Sequence, residues 1–374
     1  MKTQVAIIVG TRPEAIKLIP VYLAMQKSET LEPVLISTGQ HKEMLAQIFT
    51  FFGVQPNIEL DVMLQGQTLT QLTARIVDRL GNHIAENNYK TVIVQGDTTT
   101  AFIAGLVAYY HQIPVGHVEA GLRTYDKYSP FPEEVNRRLI GTFAQFNFAP
   151  TSKAVEALKK ENIDGIYMVG NTVVDSLLLC YEKVQKQEAS YEQEFGYLWE
   201  GKEKLTLITG HRRESFGEGF LNMCRAIRRI AERYEDMTFV YPVHLNPNVK
   251  KVVHEELSGI TNVQLIQPLP YDKLIYLMSK ANMILTDSGG IQEEAPTFDV
   301  PIVVMRNKTE REEGIEAGCA VLAGTTEEGI VSHFTKIMDD ADLYAQMTKA
   351  KNPYGDGTTS QQIVEILEKY FQSL

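Results

Sequence analysis

Residues 5–17 read VAIIVGTRPEAIK, an apolar run followed by a glycine turn and a helix start. The run Val5–Val9 has the length and composition of a buried parallel strand. Gly10 permits a tight turn after it, and Pro13 suits the first position of a helix. A strand, a turn and a helix in this order predict an α/β protein built on a parallel sheet.

The same alternation continues in two series along the chain. The first has apolar runs and helical stretches at Val34–Ile36, Leu69–Leu80, Thr91–Val94, Thr100–Tyr110 and Val115–Val118. The second follows the charged stretch Glu182–Glu203, with apolar runs at Leu205–Thr209, Phe239–Pro242, Val263–Ile266, Met283–Thr286 and Ile302–Met305. We therefore predict two Rossmann-like domains, residues 1–169 and 170–359, with the active site in a cleft between their strand ends. We expect a last helix, residues 360–374, to pack back on the first domain.

Composition limits the function. The chain has 374 residues, of which 44% are hydrophobic and 22% charged, and its net charge is −11 at pH 7. This charge argues against general nucleic-acid binding but allows a basic pocket for a small phosphorylated ligand. Cys180, Cys224 and Cys319 have no metal-like spacing, the run Val5–Val9 is too short for a signal-peptide core, and no apolar run could span a bilayer. We expect a cytoplasmic protein with no metal, membrane or nucleic-acid partner.

Two cations stand close to the first helix start. Arg12 lies just ahead of it and Lys17 one turn into it. A helix start offers unpaired N–H groups and a partial positive charge, and both favour an anion. An anion-binding loop and a plain helix cap with solvated surface charges are equally good interpretations of this stretch alone.

Three acids are predicted at the carboxyl edge of the first sheet. Asp97 and Glu119 each follow an apolar run, and Glu133 starts a predicted helix, Glu133–Ala144. Taken singly, Asp97 is better interpreted as a helix N-cap and Glu133 as a partner of the helix dipole. Because the strand ends form the ligand edge of such a sheet, three acids there together favour acid–base catalysis.

The second series carries the predicted anion site. Ser288, Gly289 and Gly290 follow one apolar run, and adjacent glycines at a helix start let backbone amides close on a diphosphate. Glu294 lies one turn further on, where it can accept hydrogen bonds from ribose hydroxyls. The remaining candidates follow the other apolar runs of this series: His211, Arg212, His244, Arg306 and Arg311.

Several motifs together resemble the bacterial non-hydrolysing UDP-N-acetylglucosamine 2-epimerases. The most specific are GHVEAGLR at 116–123 and SPFPEE at 129–134. The others are Gly10–Pro20, Gln95–Thr99, His211–Glu214, Pro242–Pro247 and Asp287–Pro296. The resemblance implies a glycosyltransferase-B-like fold, a homodimer, and interconversion of UDP-GlcNAc and UDP-ManNAc for cell-surface polysaccharides without metal or nicotinamide.

The resemblance also implies roles for individual residues. The catalytic group would be Asp97, Glu119, Glu133 and His211. The nucleotide-sugar contacts would be Arg12, Lys17, Ser288, Gly289, Gly290, Glu294 and Arg311. Many bacterial members bind a second UDP-GlcNAc as an activator, and the matching positions are Gln40, Glu133, Arg212 and His244.

The chain departs from the family pattern at several positions. Glu43 and Gly66 occupy activator positions where a glutamine and an arginine are typical. Tyr125 stands where a glycine is common, and Glu312 replaces the proline that usually follows Arg311. These changes put the activator pocket and a rigid turn near Arg311 in question.

Other functions fit much of the same sequence. A hydrolysing 2-epimerase would release ManNAc and UDP, and an epimerase of a modified UDP-sugar would differ in residues that one sequence does not identify. A glycosyltransferase of the same fold leaves the three acids without a role. A nucleotide-sugar sensor explains the anion site but likewise not the acids.

Overall fold

The computed structural model describes residues 2–64, 66–202, 204–212 and 216–373. It divides into two compact units, unit 1 with residues 1–176 and 354–374, and unit 2 with residues 177–353. The first division falls inside a helix, Thr172–Lys186, rather than at the glycine turn near residue 170 where the sequence suggested it. The second falls ahead of the last helix, whose predicted final residue, Leu374, lies outside the described residues.

Unit 1 is built on a sheet of seven parallel strands. They are β1 (Thr3–Val9), β2 (Leu31–Ser37), β3 (Ile58–Glu59), β4 (Thr91–Gln95), β5 (Val115–Val118), β6 (Phe146–Ala149) and β7 (Ile166–Met168). The helices between them are α1 (Arg12–Gln26), α2 (Lys42–Phe52), α3 (Leu69–Ala85), α4 (Thr99–Tyr110), α5 (Glu133–Phe143) and α6 (Ser152–Lys160), with α7 (Thr172–Lys186) after β7. The strand order is β3-β2-β1-β4-β5-β6-β7, so the direction of winding reverses between β1 and β4.

Unit 2 repeats this plan with six parallel strands. They are β8 (Lys204–Thr209), β9 (Met237–Pro242), β10 (Val263–Ile266), β11 (Met283–Thr286), β12 (Ile302–Val304) and β13 (Ala320–Leu322). The helices are α8 (Glu188–Phe195), α9 (Glu218–Arg233), α10 (Pro247–Leu257), α11 (Tyr271–Lys280), α12 (Gly289–Glu294), α13 (Glu312–Glu316), α14 (Glu327–Asp339) and α15 (Ala341–Thr348). The strand order β10-β9-β8-β11-β12-β13 reverses between β8 and β11.

Burial explains why the apolar runs become strands. All five residues of β4 and all four of β5 are buried, because helices cover both faces of a parallel sheet. Packed apolar side chains form a separate hydrophobic core in each unit. Gly10 is required after β1, since a Cβ there would lie 2.3 Å from Thr100 Oγ1. The predicted two-domain α/β fold is confirmed.

The last helix, α16 (Thr359–Gln372), belongs to unit 1. The backbone N–H of Ser360 donates to Asp175 Oδ1 on α7 over 2.7 Å. Further along, Ser28 Oγ after α1 donates to Glu368 Oε1. Contacts at both ends therefore hold the C-terminal helix against α1 and α7.

Candidate active site

In each unit the candidate side chains follow the two strands where the winding reverses. This is the position at which open α/β sheets bind ligands. In unit 1 the loops after β1 and β4 carry Gly10–Arg12 and Gly96–Asp97, and Glu119 follows the neighbouring β5. In unit 2 the loops after β8 and β11 carry Gly210–Arg212 and Asp287–Ser288.

Glu119 is held by two donors of unit 1, one on helix α1 and one at the end of β4. Lys17 Nζ lies 2.6 Å from its Oε1, and Gln95 Nε2 donates to its Oε2. The side chains of Lys17 and Glu119 are only 12% and 6% exposed, so solvent screens this pair little. Glu119 also has a φ of +65°, in the left-handed region. In the structure Lys17 is the partner of Glu119, and its contact with a substrate phosphate stays a prediction.

Asp97 is paired with Arg137 from α5. Arg137 Nη2 lies 2.5 Å from Asp97 Oδ2, and Asn136 Nδ2 donates to the Asp97 carbonyl over 2.9 Å. The helix-cap interpretation of Asp97 is wrong, because the next residue, Thr98, is the N-cap of α4 and accepts from the N–H of Ala101. The carboxylate of Asp97 therefore caps no helix; it pairs with Arg137, and its side chain is 25% exposed.

The same guanidinium links Asp97 to the loop before α5. Arg137 Nη1 lies 3.5 Å from Glu134 Oε2. The fully buried Glu134 accepts hydrogen bonds of 2.9 and 3.0 Å from the backbone N–H groups of Thr124 and Tyr125. Tyr125 has a φ of +62°, which accounts for the glycine common at this position in the family. Sequence reasoning missed Arg137 and Glu134 as supports of this site.

Glu133 begins α5 and is partly buried. Its Oε2 atom is buried and has no hydrogen-bond partner among the residues that the structure describes. A buried, unsatisfied carboxylate oxygen is costly unless a ligand or a proton satisfies it. This orphan atom favours a functional role over the simple helix-dipole interpretation.

A buried histidine fixes the turn that carries Asp97. His117 lies on β5, is fully buried, and its Nε2 lies 2.7 Å from the carbonyl oxygen of Gly96. Because the carbonyl can only accept, Nε2 carries the proton. Burial lowers the pKa of His117 to about 4, so the ring is neutral near pH 7. His117 is thus a neutral support for the Gly96–Asp97 turn.

The helix start after β1 satisfies part of its own backbone. Glu14 Oε2 accepts hydrogen bonds from the N–H groups of Gly10 and Thr11 over 2.9 and 2.6 Å. Thr98 Oγ1 donates to the other oxygen, and burial raises the pKa of this carboxyl group. The expectation of unpaired amides is therefore wrong for Gly10 and Thr11. Arg12, the first residue of α1, is partly buried beside them.

In unit 2, two guanidinium groups cover the start of α12. A Cβ added to Gly289 would lie 3.3 Å from Arg311 Cζ and 3.4 Å from Arg212 Nη2. Arg311 is held by Glu293 Oε1, which accepts from Nε over 2.9 Å and lies 2.9 Å from Nη2. Ser288 is the N-cap of this helix. Two cations beside a helix start form an arrangement that suits a diphosphate.

The turn before α13 is held without a proline. The backbone N–H of Arg311 donates to Thr309 Oγ1 over 3.1 Å, and Thr309 Oγ1 donates to Gln292 Oε1 on α12 over 2.7 Å. Arg306 forms two hydrogen bonds with Glu310. Burial alone would raise the pKa of Glu310, but Arg306 holds it at about 2. The Thr309 hydroxyl and the Arg306–Glu310 ion pair therefore stabilise the turn in which the family has a proline.

Glu294, the predicted ribose contact, is the last residue of α12 and is buried. The hydroxyl of Tyr271, also buried, donates to its Oε1 over 2.8 Å. This hydrogen bond orients the Glu294 carboxylate at the end of α12, the helix that begins with Gly289 and Gly290.

The predicted activator residues fall in both units. In unit 1, Gln40 Oε1 accepts from Thr100 Oγ1 over 2.9 Å, and Glu43 lies in the first turn of α2. In unit 2, the rings of His244 and His211 stack with centroids 4.9 Å apart. Arg213 and Glu214 of the histidine motif lie outside the described residues. The activator pocket stays a prediction.

Within residues 2–64, 66–202, 204–212 and 216–373, no group of three or more His, Cys, Asp or Glu side chains could hold a metal ion. In the same ranges, no helix is long and apolar enough to cross a membrane.

The strand orders of the two units define a protein with a glycosyltransferase-B-like fold. A glycotransferase of kitacinnamycin, only 10% identical, has a TM-score of 0.64 and covers 99% of both chains, which supports the fold alone. A protein-family model described as UDP-N-acetylglucosamine 2-epimerase matches residues 23–368. The chain belongs to this family, and the resemblance inferred from its motifs is confirmed.

Two relatives illustrate how complete the match is. The UDP-N-acetylglucosamine 2-epimerase of Yersinia pestis is 45% identical over 372 residues, 98% of this chain and 99% of that protein. The crystal structure of UDP-GlcNAc 2-epimerase from Neisseria meningitidis, bound to UDP-GlcNAc, is 43% identical with a TM-score of 0.91. It covers 98% of this chain and 100% of its own.

Proposed function

We propose that this protein is a non-hydrolysing epimerase that interconverts UDP-GlcNAc and UDP-ManNAc at carbon 2 of the sugar. The observation that carries the proposal is the division of charge. Unit 1 presents Asp97 and Glu119, each paired with its own cation, and unit 2 has Arg212 and Arg311 at one helix start. The Neisseria meningitidis relative with bound UDP-GlcNAc supports the choice of substrate.

The chemistry requires acid–base groups, because the hydrogen on carbon 2 is not acidic. In the first half-reaction a carboxylate takes that proton while the bond from carbon 1 to the diphosphate oxygen breaks. The electron pair of the C–H bond forms the C1–C2 double bond of a glycal, and UDP leaves with the pair of the C–O bond. In the second half-reaction a proton returns to carbon 2 from the opposite face, and UDP adds back to carbon 1.

We assign this proton transfer to the acids of unit 1. Asp97, Glu119 and Glu133 are the candidates for the two faces of carbon 2, and His211 of unit 2 completes the catalytic group. General acid–base catalysis of this kind contributes roughly 10²- to 10⁴-fold in rate. Lys17 pairs with Glu119 and Arg137 pairs with Asp97, so a cation lies beside each of these two candidates.

The departing diphosphate requires cations and amides. We assign this task in unit 2 to Ser288, Gly289, Gly290 and Arg311, with Glu294 accepting hydrogen bonds from the ribose. Arg12 is the unit 1 candidate for a phosphate oxygen. Lys17 is a second one if the diphosphate draws it from Glu119.

The family resemblance extends the proposal beyond the reaction. We infer a cytoplasmic homodimer whose product supplies ManNAc units for cell-surface polysaccharides. Activation by a second UDP-GlcNAc, through Gln40, Glu133, Arg212 and His244, is a separate hypothesis. A lag in UDP-ManNAc turnover that added UDP-GlcNAc abolishes would support it, and linear progress curves would contradict it.

The products distinguish the proposal from its closest alternative. Purified protein incubated with UDP-GlcNAc should give UDP-ManNAc, with the anomeric phosphate intact, in one-dimensional proton and phosphorus NMR spectra. Free ManNAc together with UDP would identify a hydrolysing enzyme instead. No change without an added acceptor sugar would favour a glycosyltransferase.

A further inference from the structure

Asp287 lies directly after β11 and is fully buried. Its Oδ2 atom accepts hydrogen bonds of 2.8 Å from the backbone N–H groups of both His211 and Arg212. These two residues follow β8, the strand next to β11 in the sheet. A single carboxylate oxygen therefore fixes the histidine loop to the neighbouring strand end.

The ring of His211 lies against a second fixed group, the ring of His244. Their planes are within 8° of parallel. His244 Nδ1 accepts a hydrogen bond of 3.1 Å from the backbone N–H of Asn246. Because a backbone N–H can only donate, Nδ1 is the acceptor in this bond. His211 thus stacks on a ring that its own loop holds in place.

We propose that Asp287 is a positioning residue for His211, because its carboxylate holds the backbone of the loop that carries the His211 ring. The negative charge of Asp287 also favours the protonated form of that ring. A protonated His211 can donate to a phosphate oxygen or return a proton, and a neutral one can accept it. The inference rests on the proposed function only for the consequence in turnover.

The charges around His211 act in opposite directions. His211 is exposed as a whole, but burial of part of the ring disfavours its charged form, so the pKa of His211 lies below its usual value. The charge of Asp287 raises this pKa, whereas His244 and Arg212 lower it. Among the described groups that act on the ring, Asp287 alone favours protonation.

Two substitutions of the buried Asp287 separate the effect of its charge from the effect of its hydrogen bonds. Its Oδ1 is buried and has no hydrogen-bond partner among the described residues. Asp287→Asn can keep a carbonyl oxygen at the position of Oδ2 and so retain both backbone hydrogen bonds. This substitution therefore removes the charge while preserving the loop anchor, whereas Asp287→Ala removes both.

The experiment is an NMR titration of the full chain labelled with ¹³C-histidine. The chain has eight histidines, and the His211 signal is identified by its loss in His211→Gln. In Asp287→Asn the titration midpoint of His211 should move to lower pH. Asp272→Asn is the matched control, since this acid of unit 2 accepts a hydrogen bond from Tyr191 and does not contact His211. An unchanged midpoint in Asp287→Asn would overturn the electrostatic part of the proposal.

UDP binding tests the anchoring part. Asp287→Ala should weaken UDP binding on the order of ten-fold because it removes both backbone hydrogen bonds, and Asp287→Asn only slightly because its amide oxygen can keep them. Equal losses in the two variants would overturn the anchor.

Amide hydrogen exchange tests the anchor in the unmodified chain, without any substitution. The N–H groups of His211 and Arg212 should exchange slowly, and exchange at the rate of an unstructured peptide would overturn the anchor as well. None of these measurements requires turnover. If the chain does not epimerise UDP-GlcNAc but the His211 midpoint moves as expected, the proposed function fails and the role of Asp287 stands.

Discussion

The two units share one strand order around the point where their winding reverses, but they carry opposite charges there. In unit 1 the acids Asp97 and Glu119 stand at the strand ends, and Arg137 and Lys17 hold them. In unit 2 the arginines Arg212 and Arg311 stand at the helix start. Buried acids hold these two arginines: Glu293 pairs with the side chain of Arg311, and Asp287 accepts a hydrogen bond from the backbone N–H of Arg212.

This difference separates what topology decides from what side chains decide. The strand order sets where a ligand can bind in each unit. In the proposed function, the side chains divide the chemistry between the units, with proton transfer in unit 1 and stabilisation of a leaving diphosphate in unit 2. A substitution of an acid in unit 1 should therefore change kcat, whereas a substitution of an arginine in unit 2 should change the dissociation constant of UDP.

The largest effect is expected for Glu119→Gln in unit 1. The amide removes the proton acceptor but can keep a contact with Gln95. We expect kcat for UDP-GlcNAc to fall by roughly 10²- to 10⁴-fold, the usual contribution of a general acid–base group. The dissociation constant of UDP, measured by calorimetry, should stay within about three-fold. A variant that turns over normally, or that loses UDP binding altogether, would make Glu119 a structural residue.

The second effect concerns unit 2 and should appear in binding rather than chemistry. Arg311→Lys loses the contact in which two guanidinium nitrogens, Nε and Nη2, both bind Glu293. We expect the dissociation constant of UDP to rise by roughly 10- to 100-fold, since charge-assisted hydrogen bonds are strong in a partly buried site.

A matched control for that variant lies on the surface of the same unit. Arg229 pairs with Glu327 and Glu328, and its side chain is 45% exposed. Arg229→Lys should leave UDP binding unchanged, because exposed ion pairs contribute little. Equal losses in both variants would show a general charge effect rather than a local site.

A smaller effect is expected for Arg137→Lys, which disturbs the support of Asp97. We expect kcat to fall about ten-fold with KM within about two-fold, because one charge-assisted hydrogen bond is weakened while the substrate contacts remain. The double variant with Asp97→Asn should be no slower than Asp97→Asn alone. Additive losses would mean that Arg137 does not act through Asp97.

The smallest effect concerns the stability of unit 1. It involves Glu14, which accepts hydrogen bonds from the backbone N–H groups at the start of α1. Burial raises the pKa of Glu14 above its ordinary value of 4.5. The folded state therefore favours the protonated form, and stability that is present below pH 4.5 is lost as pH rises through the folded pKa. Glu14→Gln cannot titrate and can keep the acceptor for Gly10 and Thr11.

Thermal unfolding measures this effect. The melting temperature of Glu14→Gln relative to the original chain should increase between pH 5 and pH 8, by roughly 2 °C. A difference that is the same at both pH values would contradict the role of a raised Glu14 pKa.

The sequence predicted the elements with strong apolar runs and missed the weaker ones. Val115–Val118, Val263–Ile266 and Met283–Thr286 coincide with β5, β10 and β11. The strands that were missed are β3, with two residues, and the short β6 and β13. β3 is an edge strand whose two residues are partly buried or exposed, so it leaves no apolar run in the sequence.

The candidate site was predictable as a set of residue types but not as a set of pairs. The position of Asp97 and Glu119 after strands follows from the sequence alone. Their partners do not, because Lys17 is 102 positions from Glu119 and Arg137 is 40 from Asp97. Such contacts arise from tertiary packing, which local patterns do not encode.

The central claim is that acids of unit 1 exchange the proton on carbon 2. Incubation of the protein with UDP-GlcNAc in deuterated water tests it most directly, with NMR and mass spectrometry of both epimers. The account predicts deuterium at carbon 2 of UDP-GlcNAc and UDP-ManNAc, and its loss in Glu119→Gln. Epimerisation without deuterium at carbon 2 would contradict it.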